Sequence, residues 1–268
     1  MARAVKIAAG IALGLAAAAT LPAAAESRVA LVIGNADYAV RPLRNPVSDA
    51  RAVAKSLEAL GYDVVVKENV SQPAMLDALR DFWLRSRKAS ARVLYYSGHG
   101  VQHRGRNFLV PVDVVLRTED EVPRKTVAVS DFVDKLAGPA VNIVILDACR
   151  TPPWTGSTRT RGGKQVPAIE SGLAAVPAPQ GTLIAFATAP GAVAFDGTER
   201  NGVYTRHLLA QMAVPGLPVE QVFKRVRAGV LKETGEKQIP WETSSLTGDF
   251  CFRTGQRGEC PLADPAAR

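Results

Sequence analysis

Short, continuous apolar runs alternate along the chain with longer stretches whose apolar residues return every three or four positions. Arg28–Asn35, Tyr62–Val66, Arg92–Tyr96, Val141–Cys149 and Thr182–Thr188 are rich in Val, Ile, Leu and Tyr, the pattern of buried strands. Helical spacing marks Ala50–Leu60, stopped by Gly61, and Pro73–Arg87, where Met75, Leu76, Leu79, Phe82 and Trp83 form one stripe. Further helices are predicted over Ser130–Leu136, Asn201–Met212 and Val219–Lys232, and a last strand, at the sheet edge, over Leu246–Arg253. Asn107–Val129 has a polar, partly extended character. Thr151–Gln180 is rich in Pro, Gly, Thr and Arg without an apolar face, and reads as a long, flexible, exposed loop. Strands alternating with helices predict an α/β fold, a mostly parallel sheet with helices on both faces.

The first residues stand apart from this pattern. Arg3 and Lys6 precede the apolar run Ile7–Ala19, and Leu21-Pro22-Ala23-Ala24-Ala25-Glu26 closes it. A basic head, a short apolar middle and an Ala-x-Ala end predict a signal peptide over 1–25, cut after Ala25, and hence a periplasmic or secreted protein without stable membrane insertion. Residues 26–255 then read as one domain, in a large part (26–150), a linker (151–180) and a small part (181–255), with a tail over 256–268. Loss of Arg3 and Lys6 lowers the formal charge from +8 to +6. No Lys/Arg block with interleaved aromatics accompanies that charge, so a nucleic-acid partner is not expected.

The chain has three cysteines. In an oxidising compartment Cys251 and Cys260 are candidates for a small disulfide loop, which leaves Cys149 as a free thiol. Cys149 ends one apolar run, and His99 follows another in Tyr95-Tyr96-Ser97-Gly98-His99-Gly100. Parallel sheets carry their chemistry at the carboxyl ends of strands. A thiol delivered there beside an imidazole forms a nucleophile and its base. Alone, His99 reads as a turn histidine and Cys149 as a small buried hydrophobe; together they predict a catalytic pair. The amides of Gly100 and Cys149 are the candidate oxyanion hole. No GxGxxG follows the first strand, which argues against dinucleotide binding. No CxxC or HExxH spacing is present, so no metal site or cofactor is predicted.

Tyr95–Gly100 and Asp147-Ala148-Cys149-Arg150 resemble the motifs of the caspase-like cysteine peptidases, in particular the bacterial metacaspase relatives called orthocaspases. Leu31–Asn35, Asn45-Pro46 through Asp49-Ala50, Asn107–Pro111, Gly172–Ala174, Asn201–Thr205 and Gln238–Trp241 extend the resemblance in order over nearly the whole mature chain. It implies a caspase-like three-layer sandwich and peptide hydrolysis through a Cys149/His99 dyad. It also implies cleavage after Arg or Lys, with Asp49, Ser97 and Asp147 in the substrate pocket. Independently, a cationic side chain in a partly desolvated pocket needs opposing carboxylates, and Asp147 shares a strand face with the nucleophile two residues on. Asp49 alone reads equally well as the acidic residue of a helix first turn.

Arg159, Arg161 and Lys164 in the linker are then candidate self-cleavage sites for an enzyme of this specificity. Some metacaspases need calcium; Asp113, Glu119 and Asp120 lack regular ligand spacing, so calcium dependence is not predicted. His103 reads as a surface residue and His207 as a structural one, while Trp154, Phe195, Tyr204 and Trp241 read as packing. A monomer acting on protein or peptide substrates is favoured. A non-catalytic caspase-like interaction module is the alternative, and the presence of both Cys149 and His99 speaks against it.

Overall fold

The structure, a computed structural model, describes residues 27–148, 158–161, 164–167, 173–190, 192, 199–255 and 260. The continuous apolar runs become strands β1 (Arg28–Gly34), β2 (Asp63–Glu68) and β3 (Ala91–Ser97). Helix α1 (Pro46–Ala59) follows β1 and α2 (Gln72–Arg85) follows β2; after β3 come three short strands, β4 (Gly100–His103), β5 (Arg106–Leu109) and β6 (Val127–Ala128), with α3 (Val122–Lys125) before β6 and α4 (Val129–Leu136) after it. After these come β7 (Val141–Asp147), the hairpin β8 (Thr158–Arg161) and β9 (Lys164–Pro167), β10 (Thr182–Phe186), α5 (Val203–Met212), α6 (Val219–Thr234) and β11 (Trp241–Ser244).

Six strands make the main sheet in the order β11-β10-β7-β3-β1-β2, with only β11 antiparallel. β3, β7 and β10 are buried along nearly their whole length, as expected of parallel strands covered on both faces. The connection β1-α1-β2 runs one way along the sheet and β2-α2-β3 runs back, so two right-handed crossovers place α1 and α2 on opposite faces. α5 packs on α1 and α6 on α5, while α2 meets α4. The chain reverses direction between β1 and β3, and a crevice at the carboxyl ends of those strands is where α/β sheets hold ligands. β4, β5 and β6 form a small antiparallel sheet over that end, where Asn107–Val129 was expected to be merely extended.

Two expectations need correction. Leu246–Arg253 is no strand: the edge position is taken by β11, paired antiparallel to β10 from Phe186↔Trp241 to Leu183↔Ser244. The later segment buries Phe250, Cys251 and Phe252 but makes only an isolated bridge, Cys251 to Pro218. Its carbonyls at Cys251 and Phe252 accept from the Arg28 guanidinium at 3.3 and 3.1 Å, and those at Phe250 and Arg253 from the Val219 and Gly216 N–H groups, each at 2.8 Å. The linker, expected to be irregular, contains the β8–β9 hairpin with Arg161 opposite Lys164. Only Gly162-Gly163 separates the two strands, a two-residue hairpin signal that the Pro- and Gly-rich composition obscured. Cys251 and Cys260 are joined by a disulfide.

Candidate active site

The site is assembled at the carboxyl ends of β1, β3 and β7. Ser97 ends β3 directly opposite Asp147, which ends β7, and Gly34 of β1 pairs with Ser97 on the other side. Paired residues of parallel neighbours point to the same face, so Ser97 and Asp147 share one. Both are buried.

Beyond β3 the chain turns through Gly98-His99-Gly100. A Cβ on Gly98 would stand 2.6 Å from both the Tyr38 and Tyr96 hydroxyls, and one on Gly100 would meet the Ala148 carbonyl at 2.9 Å and Leu173 at 3.0 Å. Those two glycines are demanded by close approach. They bring the His99 turn against Ala148, the residue before Cys149, and the Gly98 N–H donates to the Asp147 carbonyl at 3.3 Å. Leu173 is held beside Gly100 by Asn107, whose side chain donates to the Ala174 carbonyl at 2.8 Å and accepts from its N–H at 2.6 Å.

His99 is 2 % exposed. Its Nε2 lies 2.8 Å from the Arg41 carbonyl. A carbonyl only accepts, so Nε2 carries a proton and in the neutral ring Nδ1 holds the lone pair. Arg41 presents that carbonyl from a left-handed backbone (φ 54°), an uncommon conformation for a residue with a side chain. The orienting group that no acidic residue in the sequence supplied is therefore a backbone carbonyl. Side-chain type gives no sign of it.

On the α1/α5 side, Asp49 is fully buried. Its Oδ1 accepts from the Asn201 side chain at 2.8 Å and the Gly202 N–H at 3.0 Å. Asp147 Oδ2 accepts from Thr205 at 3.0 Å, and the Tyr95 hydroxyl lies 2.6 Å from the same Thr205 oxygen. Since Thr205 gives its only proton to the carboxylate, Tyr95 donates to Thr205. Burial, then the charges of Asp49 and Asp147, push the Tyr95 hydroxyl well above its ordinary range, so it stays a donor. The point where a Gly202 Cβ would stand is 3.3 Å from Asp49 Oδ2 and 3.8 Å from Asp147 Oδ2. Two carboxylates from distant segments thus face one small space, kept open by a glycine.

The structure does not bring every singled-out residue to this place. Cys149 and Arg150 lie outside the described residues, as do Trp154, Gly172 and Phe195 and the proposed signal peptide. Arg159, Arg161 and Lys164 are on the backbone of β8 and β9. His103 is buried, not superficial, with Nδ1 3.4 Å from Glu119 and its ring edge-on to Phe108. His207 sits on α5, bonded to Glu233 of α6 at 2.9 Å. Tyr204 is core, whereas Trp241 is 45 % exposed on the edge strand and does not pack inside. Among the described residues no cluster of three His, Cys, Asp or Glu is arranged to hold a metal ion. None of their helices is long and apolar enough to cross a membrane.

A six-stranded, mostly parallel sheet flanked by helices, with a histidine turn packed against the strand end that precedes a cysteine, defines a caspase-like architecture. Residues 27–251 match the caspase domain family, peptidase family C14, and the chain belongs to it as a caspase-like cysteine peptidase domain. A stretch of 129 residues is 33 % identical to mucosa-associated lymphoid tissue lymphoma translocation protein 1 of Homo sapiens, and equally to its Mus musculus homolog. Each match covers 47 % of this chain and spans 15 % of the length of the relative.

Proposed function

We propose that this domain is an exported, bacterial metacaspase-like (orthocaspase) endopeptidase that cuts peptide bonds after Arg or Lys. The observation that carries the specificity is the pair of buried carboxylates, Asp49 and Asp147, facing the space above Gly202. Two buried like charges repel and are costly to desolvate, and a guanidinium or ammonium entering between them offsets both effects. Ser97, buried beside Asp147, adds a short polar side chain to the same face.

In this reading Cys149 attacks the scissile carbonyl carbon while His99 Nδ1 takes the thiol proton. The amides of Gly100 and Cys149 stabilise the oxyanion that forms. His99 then hands its proton to the departing amine as the C–N bond breaks, leaving a thioester to Cys149. Water, deprotonated by His99, hydrolyses that acyl-enzyme and restores the thiol. The Nε2–Arg41 hydrogen bond supports the role, because it keeps the lone pair on the other ring nitrogen and stabilises the imidazolium in between.

The Cys251–Cys260 disulfide supports a periplasmic or secreted location, and with it the signal peptide over 1–25. The division into 26–150, 151–180 and 181–255 and self-cleavage at Arg159, Arg161 or Lys164 belong to the same proposal. The protein is taken to act as a monomer on protein substrates, without nucleic acid and without a required cofactor.

The test is hydrolysis of arginyl, lysyl and aspartyl fluorogenic peptides by the purified protein, with and without calcium. Cleavage of the first two alone, abolished in Cys149→Ala and in His99→Ala, is the expected result. Cleavage after aspartate, or none after any residue, overturns the specificity; activity that survives Cys149→Ala overturns the mechanism. A Cys149→Ala protein that still purifies as two fragments rules out self-cleavage.

A further inference from the structure

Two buried tyrosines hold the His99 main chain, one at its N–H and one at its carbonyl. Tyr38 lies in the loop after β1, and Tyr96 is on β3, three residues before His99. The His99 N–H donates to the Tyr38 hydroxyl oxygen at 2.9 Å, and that hydroxyl passes its own proton to the Val110 carbonyl at 3.0 Å. The Tyr96 hydroxyl lies 2.8 Å from the His99 carbonyl and 3.1 Å from that of Val110, so its single proton goes to the nearer acceptor. The two hydroxyls are 3.2 Å apart, and the Gly98 position leaves no room for a Cβ beside either.

The same loop touches the imidazole itself. The Tyr38 ring is 4.4 Å from it, tilted by 52°. Three residues on, the left-handed Arg41 delivers its carbonyl to Nε2. One short loop therefore reaches the His99 main chain, the flat side of its ring and one ring nitrogen. An isolated glycine-flanked histidine has freedom at each of these points.

We propose that Tyr38 and Tyr96 are positioning residues for His99: their hydroxyls fix the two peptide units that flank its Cα, and the Tyr38 loop thereby sets the plane and the tautomer of the imidazole. The inference rests on reading His99 as the base, but its geometry concerns the ring and not the substrate pocket. Burial, reinforced by Tyr38, raises the Tyr96 hydroxyl well above its ordinary range, so Tyr96 remains a donor at neutral pH.

The test uses the full-length protein and the variants Tyr38→Phe and Tyr96→Phe, which remove one oxygen each, with Tyr62→Phe as a buried tyrosine remote from His99. Nitrogen-15 and carbon-13 spectra of labelled histidine report the His99 tautomer and its titration. Alkylation of Cys149 by iodoacetamide across pH reports the ring as a base. The wild-type spectrum is expected to show the Nε2–H tautomer; in the two phenylalanine variants that preference weakens and the alkylation profile shifts. Against an arginyl peptide kcat falls about 10- to 100-fold while KM holds, the signature of a misplaced reacting group. Tyr62→Phe changes melting temperature at most.

Unchanged His99 tautomer, titration and Cys149 alkylation in both variants would show that the hydroxyls merely pack, and would overturn the proposal. So would a wild-type ring found in the Nδ1–H tautomer, a measurement that needs no variant to fold. If the wild type cuts no arginyl peptide while the spectra behave as stated, the specificity fails and the positioning role stands.

Discussion

Asp49 is a residue with two tasks divided between its two oxygens. Oδ1 receives the Asn201 side chain and the Gly202 N–H, 152 and 153 residues away, while Oδ2 faces the space shared with Asp147. Its neighbour Ser48 donates to the Arg200 carbonyl, which adds a second tie to the same segment. Its place in the first turn of α1 is thus only part of its use. Two substitutions separate the tasks. Asp49→Ala strands buried donors and is expected to cost about 1–3 kcal/mol in urea denaturation. Asp49→Asn keeps an acceptor for Gly202 and removes the charge. It is expected to retain most of that stability while kcat/KM on an arginyl peptide drops about 10- to 100-fold, the worth of a charge-assisted hydrogen bond. Equal stability losses in both would mean that the charge itself holds the segment.

At the scale of elements, helix ends and turns are satisfied by side chains from elsewhere in the chain. Arg92, buried on β3, donates to the Ser86 carbonyl at 2.9 Å and the Leu136 carbonyl at 3.2 Å, so one guanidinium caps the chain beyond α2 and the end of α4. Burial lowers its pKa below the ordinary guanidinium range. The turn before α3 is a capping box between Thr118 and Glu121. The Glu121 carboxyl is pulled down to about 2, first by the Arg117 N–H at 2.7 Å and then by Lys125 at 2.9 Å. A depressed folded pKa means that the stabilisation is whole above the ordinary carboxylate range and drains as pH falls toward 2. A carboxyl titration followed by NMR is expected to find the Glu121 midpoint near 2, and Lys125→Ala is expected to raise it. A midpoint in the ordinary range would deny the capping geometry.

Across the whole molecule, the part after the linker is built into the part before it. β10 pairs with β7 along five residues, β11 extends the sheet beyond it, and Arg28 of the first strand binds the carbonyls of Cys251 and Phe252. The Arg28 guanidinium also sits 5.7 Å from the Tyr62 and Phe250 rings. The Cys251–Cys260 bond closes a short loop, with a sequence separation of 9, at the point where this segment leaves the core. Loop-closure entropy for a loop of that size predicts a loss of about 2–3 kcal/mol on Cys260→Ser. The expected readout is a lower melting temperature in the variant, reproduced in the wild type by a reductant. An unchanged melting temperature would assign the hold on this segment to Arg28, the two buried phenylalanines and the main-chain bonds from Gly216 and Val219.

The amino-acid sequence by itself determined the five parallel strands β1, β2, β3, β7 and β10 of the main sheet, the helices α1, α2, α4, α5 and α6, and the His99 turn at a strand end, but not the small β4–β6 sheet or α3. Each rests on local rules: apolar runs, helical periodicity and glycine at tight approaches. Phe250, Cys251 and Phe252 look strand-like in sequence, but β10 offers one free edge and Trp241–Ser244 occupies it. The β8–β9 pairing is hidden in the sequence because the Pro- and Gly-rich composition around it carries no alternating apolar pattern. Only the tertiary structure decided that Asp49 meets Asp147, that Arg41 offers a carbonyl to His99, and that Tyr38 reaches its backbone. Those contacts join segments about 60 to 100 residues apart, and two of the three run through a backbone group. No residue-type pattern encodes them, because a carbonyl is the same at every position until the fold aims it.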